Sequence, residues 1–139
     1  EQLRIAAGGA VGFTQDGVSL EGHSIECRIN AEDPSDGFRP TPGTLDEFSI
    51  PLDLGPGRVR VDTHVRQGAE VPPYYDSLIA KVIVHAADRP QAIETMKRTL
   101  AGARIRGVST TIPLHLAVLG SEEFTSGNYD TRSIPGWPA

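Results

Sequence analysis

The chain has 139 residues, 22% of them charged, and a formal net charge of −5, which fits a single globular domain. No apolar run approaches the roughly 20 residues that a membrane-spanning helix needs, and no Lys/Arg block offers the clustered cations that nucleic acid requires. The only cysteine, Cys27, cannot form an internal disulfide, so we expect a buried thiol in a reducing compartment, with cytoplasmic as the default localisation. Because the chain starts with Glu1 and not with an initiator methionine, we expect a fragment of a longer protein.

The first predicted elements are a short helix and a strand. Residues 1–7, EQLRIAA, have helical composition and are followed by two glycines, so we expect residues 1–9 to be the end of a longer helix. Residues 22–30 alternate between apolar and polar side chains, which predicts a strand with two distinct faces. Its predicted faces are His23, Ile25, Cys27 and Ile29 on one side, and Ser24, Glu26, Arg28 and Asn30 on the other.

Loops and a second alternating strand come next. Residues 33–43 contain three prolines, two glycines and two aspartates, which predicts an irregular loop. A short strand is predicted over 45–50 and a turn over 51–57. Residues 58–65, RVRVDTHV, alternate again and predict a strand. Its predicted faces are Val59, Val61, Thr63 and Val65 on the core side, and Arg58, Arg60, Asp62 and His64 on the charged side.

A buried strand is predicted over residues 78–85, LIAKVIVH, because this segment is apolar on nearly both faces and only Lys81 interrupts it. Asp88 is placed to cap a helix, with Pro90 in the first turn and Gln91 reaching back to the cap. The predicted apolar stripe of this helix is Ile93, Met96, Leu100 and Ala103.

Gly107 is predicted to end that helix. Thr110 or Thr111 can cap a second helix that runs to about Leu119, and the tail from residue 126 is predicted to be irregular. Antiparallel strands followed by two helices predict an α+β fold, and residues 1–139 are expected to form one domain.

The charged face of the strand over 58–65 is the first candidate site. Arg60 is the sharpest choice, because a guanidinium stays ionised and offers a rigid fork of donors to carboxylate, bicarbonate, phosphate or an enolate-like oxygen. The alternative is an ordinary solvated charged face, which the spacing alone favours. His64 and Asp62 lie side by side without a nucleophile, so we reject a catalytic triad.

The second candidate is the segment VPPYYDSLIAKVI at residues 71–83. Asp76 and Ser77 can hydrogen-bond the turn before the buried strand. We favour Asp76 as a structural anchor, and Lys81 as a side chain that snorkels or pairs.

The sequence gives little support for a metal site or a phosphate-binding loop. The four histidines are far apart in the sequence, and neither Cys-x-x-Cys nor His-x-x-x-His occurs, so no metal site is predicted. The glycines match neither nucleotide-binding fingerprint. Solvated or capping roles are favoured for Glu32 and Asp33, and no acid/base pair is claimed.

Five segments in order resemble one known family. They are EQLRIAAG (1–8), GHSIECRINAEDP (22–34), FRPTPG (38–43), VRVDTH (59–64) and VPPYYDSLIAKVI (71–83). Together they resemble the C-terminal domain of biotin carboxylase, an ATP-grasp component of acetyl-CoA carboxylase and related enzymes. The resemblance implies antiparallel strands in a partly closed sheet or barrel-like sandwich, packed with two C-terminal helices in the manner of the rudiment single hybrid motif.

The resemblance also implies a chemistry. The family uses ATP, Mg²⁺ and bicarbonate to carboxylate biotin on a carrier protein, and Arg60 stands where the family's arginine stabilises biotin's enolate oxygen and contacts bicarbonate. The family's other functional groups, including its EMNxRxQVEH motif and glycine-rich lid, belong upstream of Glu1, so the fragment alone is expected to be inactive.

The expected partners are the ATP-grasp part of the same polypeptide, a biotin carrier protein or domain, a carboxyltransferase and a second copy. Val84, His85 and Arg89 occupy positions that match the family's homodimer contact, although His85 is unusual there and Ser133 replaces an expected aromatic residue. The FRPTPG loop resembles the acyl-CoA carboxylase branch, which implies fatty acid biosynthesis. The alternatives are a non-catalytic assembly module and, more remotely, another ATP-grasp ligase.

Overall fold

The structure is a computed structural model that describes residues 1–137. The strands are β1 (His23–Asn30), β2 (Glu32–Asp33), β3 (Arg39–Pro40), β4 (Gly43–Thr44), β5 (Glu47–Ser49), β6 (Arg58–Thr63), β7 (Glu70–Val71), β8 (Leu78–Ala86) and β9 (Arg104–Arg106). The α-helices are α1 (Gln2–Ala6), α2 (Arg89–Gly102), α3 (Ile112–Gly120) and α4 (Glu122–Ser126), and short 3₁₀ turns span Gln15–Gly17 and Pro34–Asp36.

A three-stranded antiparallel sheet forms the centre of the fold. Its order is β1-β8-β6, so the nearly all-apolar β8 is paired on both edges, as the sequence predicts for an interior strand. The register places Cys27 opposite Val82 and Val82 opposite Val61 on one face. Because side chains alternate along each strand, this match places the apolar sets of all three strands on the same side of the sheet.

The hydrophobic core lies between that inner face and α2. Ile93, Met96 and Leu100 of α2 are buried there, as the predicted stripe requires, whereas its fourth predicted member, Ala103, lies past the helix as the C-cap. The helix begins as predicted at Asp88, whose carboxylate accepts the Gln91 backbone N–H at 2.9 Å and the Gln91 side-chain amide at 2.8 Å. The cap therefore sets the point at which the chain turns from β8 back across the sheet.

The end of α2 differs from the prediction. The helix stops at Gly102 rather than Gly107, and the residues between them form β9, which pairs with β5. The strand predicted over 45–50 is correspondingly reduced to β5 at Glu47–Ser49. Local composition favours a longer helix here, but pairing with a distant strand satisfies the backbone instead.

Three further expectations need correction. The loop over 33–43 is regular in part, because β2 and β3 pair across a left-handed turn at Gly37 and Phe38. A third C-terminal helix, α4, follows α3. The strands of residues 1–137 form one three-stranded and three two-stranded sheets with no closed barrel, where the resemblance implies a partly closed sheet or barrel-like sandwich. Strands of two or three residues are too short to close a sheet on itself.

Residues 1–22 pack loosely against the rest. The residues of α1 are exposed throughout, and Leu3 and Leu20 keep 88% and 99% of their accessible surface. Among the described helices, none combines the length and the apolar composition that crossing a membrane requires.

Candidate functional site on the outer sheet face

The side of the central sheet opposite α2, here named the outer sheet face, carries the charged residues. The register aligns them in three rows. The rows are Ser24–His85–Arg58, Glu26–Ile83–Arg60 and Arg28–Lys81–Asp62. The predicted polar faces of β1 and β6 thus lie side by side, with β8 between them.

Arg60 lies on this face with most of its side chain in solvent. Its side chain is 70% exposed, and Nη2 donates to Oδ2 of Asp62 at 2.9 Å. Its other guanidinium N–H groups form no hydrogen bond within residues 1–137. Because a guanidinium stays charged and presents its donors in a planar fork, Arg60 can donate hydrogen bonds to an anionic oxygen from outside the domain.

His64 extends the charged face beyond the end of β6. It is exposed and lines a shallow depression together with Asp62 and Lys81. The structure brings Arg58, Arg60 and Asp62 together on one strand, whereas His64 stands on the turn that follows. The depression provides space beside the Arg60–Asp62 pair, but it is too open to exclude water.

The second candidate segment forms a hydrogen-bonded corner where β8 begins. Asp76 Oδ1 accepts the Leu78 backbone N–H at 2.7 Å, which is the contact an anchoring residue would make. Ser77 Oγ donates to the Glu32 carboxylate and accepts from Asn30 Nδ2, the latter at 2.9 Å. Sequence reasoning missed Asn30 and Glu32 as partners of this corner, since their only signal is that Asn30 ends the alternating strand and Glu32 follows it.

Cys27 lies in the core beneath the sheet. Burial raises the pKa of its thiol to about 12, and the charge of Glu26 adds to the rise. A thiol that stays protonated at neutral pH is a poor nucleophile, which fits packing rather than chemistry.

The three predicted dimer-contact residues have different environments. Val84 is fully buried under the sheet, which contradicts a surface contact by its side chain. The reason is strand parity: Val84 shares the inner face with Val82, while the neighbouring His85 points outward. His85 is exposed, and its Nε2 donates to the Glu21 carbonyl at 2.8 Å.

Arg89 is engaged inside the chain. It donates to the Phe124 carbonyl, stacks on the Phe124 ring at 4.6 Å, and approaches His23 Nε2 at 3.1 Å. These contacts hold α4 against the start of α2 and the start of β1. His23 therefore serves as an acceptor in this arrangement.

Metal-ligating side chains do not gather in the part of the chain that the structure describes. No three His, Cys, Asp or Glu residues of 1–137 lie close enough to hold an ion.

Comparison with known proteins identifies the family. The family described as biotin carboxylase C-terminal domain matches residues 26–135. The chain is 50% identical over 134 residues to the biotin carboxylase of Nostoc sp., covering 96% of this chain and 29% of that protein. It is 46% identical over 134 residues to a pyruvate carboxylase subunit of Methanothermobacter thermautotrophicus, covering 96% of this chain and 27% of that protein.

A solved structure has the same fold. The biotin carboxylase domain dimer of the Hydrogenobacter thermophilus 2-oxoglutarate carboxylase, solved with MgADP and bicarbonate, matches with a TM-score of 0.88 and 44% identity. The match covers 94% of this chain and 28% of that one. The chain therefore spans less than a third of the length of the relatives it matches. With more than half of its length matched by the family's sequence pattern, the chain belongs to the biotin carboxylase C-terminal domain family.

Proposed function

We propose that this chain is the C-terminal part of an ATP-dependent biotin carboxylase and that Arg60 stabilises negative charge on biotin's ureido oxygen. The observation that carries the proposal is the exposed Arg60 side chain on the outer sheet face, within the VRVDTH segment. Biotin on its carrier supplies the ureido nitrogen that accepts CO₂. As that nitrogen loses its proton, charge moves to the ureido oxygen, and a fixed cation aimed at this oxygen lowers the barrier.

The remaining chemistry belongs to other parts of the protein. We assign ATP and Mg²⁺ to an upstream ATP-grasp part, as membership of the family implies. The relative of known structure was solved with MgADP and bicarbonate, which supports these as ligands of the complete enzyme. The isolated chain is therefore expected to be inactive.

The assembly is part of the same proposal. The Hydrogenobacter thermophilus domain is a dimer, which supports a homodimer here, with His85 as the exposed candidate for the contact. Biotin carrier and carboxyltransferase are the expected further partners, in the reducing compartment that the lone thiol favours. The acyl-CoA branch rests on the FRPTPG loop alone, because relatives named biotin carboxylase and pyruvate carboxylase are about equally similar.

The first test uses the chain joined to an upstream ATP-grasp part, either its own or that of the Nostoc sp. enzyme; we name this protein the assembled carboxylase. Arg60→Ala should lower biotin-dependent ATP cleavage by about 100-fold or more, as loss of an oxyanion-stabilising donor does. Arg60→Lys should restore little, because an ammonium lacks the planar fork. Bicarbonate-dependent ATP cleavage without biotin reports whether the ATP site is intact.

Arg39→Ala is the matched control, because Arg39 is a similarly exposed arginine in an ion pair away from the outer sheet face. It should leave the activity unchanged. Full biotin-dependent turnover by Arg60→Ala would contradict the assigned role. An assembled protein that associates with itself yet never cleaves ATP in response to biotin would favour the assembly module instead.

A further inference from the structure

We propose that Asp62 is a positioning residue that orients the Arg60 guanidinium for the ureido oxygen. This inference rests on the proposed function of Arg60. Asp62 Oδ2 accepts from Arg60 Nη2 at 2.9 Å, and no other side chain of residues 1–137 forms a hydrogen bond with that guanidinium.

The charged neighbours of Arg60 along β6 both favour an orientation of its guanidinium toward Asp62. Residues two apart on a strand share a face and lie roughly 7 Å apart at Cα, so Arg60 has Arg58 on one side and Asp62 on the other. The first repels the guanidinium and the second attracts it. Across the sheet Arg60 faces Ile83, which offers no polar group, so nothing on β8 competes for its orientation.

Asp62 is itself placed between cations. Its register partner on β8 is Lys81, whose own partner on β1 is Arg28. The carboxylate is thus the only negative group in its row and lies between Arg60 along the strand and Lys81 across it. With one end of the guanidinium held by this carboxylate, the donors at the other end remain available to an incoming oxygen.

The contribution to folding should be small. The two side chains are 70% and 49% exposed, and ion pairs of this kind add little to stability. Asp62→Asn should therefore fold normally while leaving Arg60 free to sample other orientations. In the assembled carboxylase we expect kcat for biotin-dependent ATP cleavage to fall about 2- to 5-fold, the range that a surface ion pair can bias. The KM for ATP should not change.

The control is a second ion pair of similar length and exposure. Arg39 Nη2 lies 2.7 Å from Asp36 Oδ2, and the two side chains are 74% and 54% exposed. Asp36→Asn should leave kcat unchanged. Asp62→Glu keeps the carboxylate and should retain most of the activity. The midpoint of urea unfolding should be the same for Asp62→Asn, Asp36→Asn and the unmodified protein.

The double variant separates positioning from independent action. If Asp62 works through Arg60, Asp62→Asn should cause no further loss in an Arg60→Ala background. An equal further loss there, or unchanged kcat in the single Asp62→Asn variant, would overturn the positioning role while leaving the proposed function in place. Unchanged activity in Arg60→Ala would overturn both.

Discussion

At the scale of single residues, Gly107 is the position where the backbone most strictly requires glycine. Its φ is +97°, in the left-handed region, and a Cβ at this position would lie 1.9 Å from the Thr44 carbonyl oxygen. The Arg106 carbonyl beside it accepts the Asp46 N–H at 2.9 Å. Glycine is thus required by both the conformation and the close approach of another strand.

Gly107→Ala should lower the free energy of unfolding by about 2 to 4 kcal/mol, combining left-handed strain with overpacking against backbone. Gly68→Ala is the control, because Gly68 has a φ of +81° but no heavy atom within 4 Å of an added Cβ. That change should cost only about 1 kcal/mol. Urea unfolding measures both, and equal losses would contradict the steric explanation.

At the scale of elements, α3 covers the free edge of the central sheet. β1 is an edge strand, and its backbone groups near Arg28 and Asn30 would otherwise lack partners. Thr111 Oγ1 donates to the Arg28 carbonyl at 3.1 Å and accepts the Asn30 N–H at 3.0 Å. His115 Nε2 donates to the same Arg28 carbonyl at 2.8 Å. Thr111 stands at the predicted N-cap position, but its hydroxyl bonds the strand rather than the helix.

Burial lowers the pKa of His115 below its ordinary value, although the bond to the Arg28 carbonyl opposes this in part. As the pH falls through about 6.5, His115 therefore becomes protonated in the unfolded chain while it is still neutral in the folded chain. Stability from this group is complete above that pH and is lost as the pH falls toward the folded pKa.

Urea unfolding between pH 7.5 and about 5 should show this loss. In His115→Gln, where an amide can donate to the same carbonyl, the dependence on pH should be flatter. His64→Gln, on the exposed turn, serves as the control and should keep the dependence of the unmodified protein. Identical profiles for His115→Gln and the unmodified chain would contradict this prediction.

At the scale of the whole molecule, residues 1–22 present apolar side chains to solvent. Leu3, Phe13 and Leu20 are among the most exposed large apolar residues of the chain. Apolar surface gathered in one segment is typical of a contact with another protein part. The chain covers only 29% of the Nostoc sp. biotin carboxylase. In the assembled carboxylase proposed above, we expect the ATP-grasp part to cover this segment.

Joining the chain to that part should bury Leu20. Leu20→Ser should change the stability of the chain alone by less than about 0.5 kcal/mol, as exposed substitutions do. In the assembled carboxylase it should cost about 1 to 3 kcal/mol, measured by urea unfolding, because a buried leucine is then lost. Leu52→Ser, at an exposed leucine of the 51–57 turn, should have little effect in either protein. Equal effects of Leu20→Ser in both would place the contact elsewhere.

Local patterns in the sequence predicted the central elements. Alternation predicted β1 and β6, the apolar run predicted β8 as an interior strand, and the Asp88 cap predicted the start of α2. The β5–β9 pair was missed, because strands of three residues leave no periodic signal and their partners are far apart in the chain.

For the candidate site too, the sequence predicted some features and the tertiary structure decided the others. The sequence by itself determined the family, through five segments in order, and it placed Arg60 and Asp62 on one polar face by their spacing of two. Only the tertiary structure decided that their side chains meet at 2.9 Å. It also decided that Val84 points inward and His85 outward, because β8 is apolar on nearly both faces and its own sequence does not reveal its parity. Cross-strand register sets that parity, and register is a property of the paired sheet rather than of any one strand.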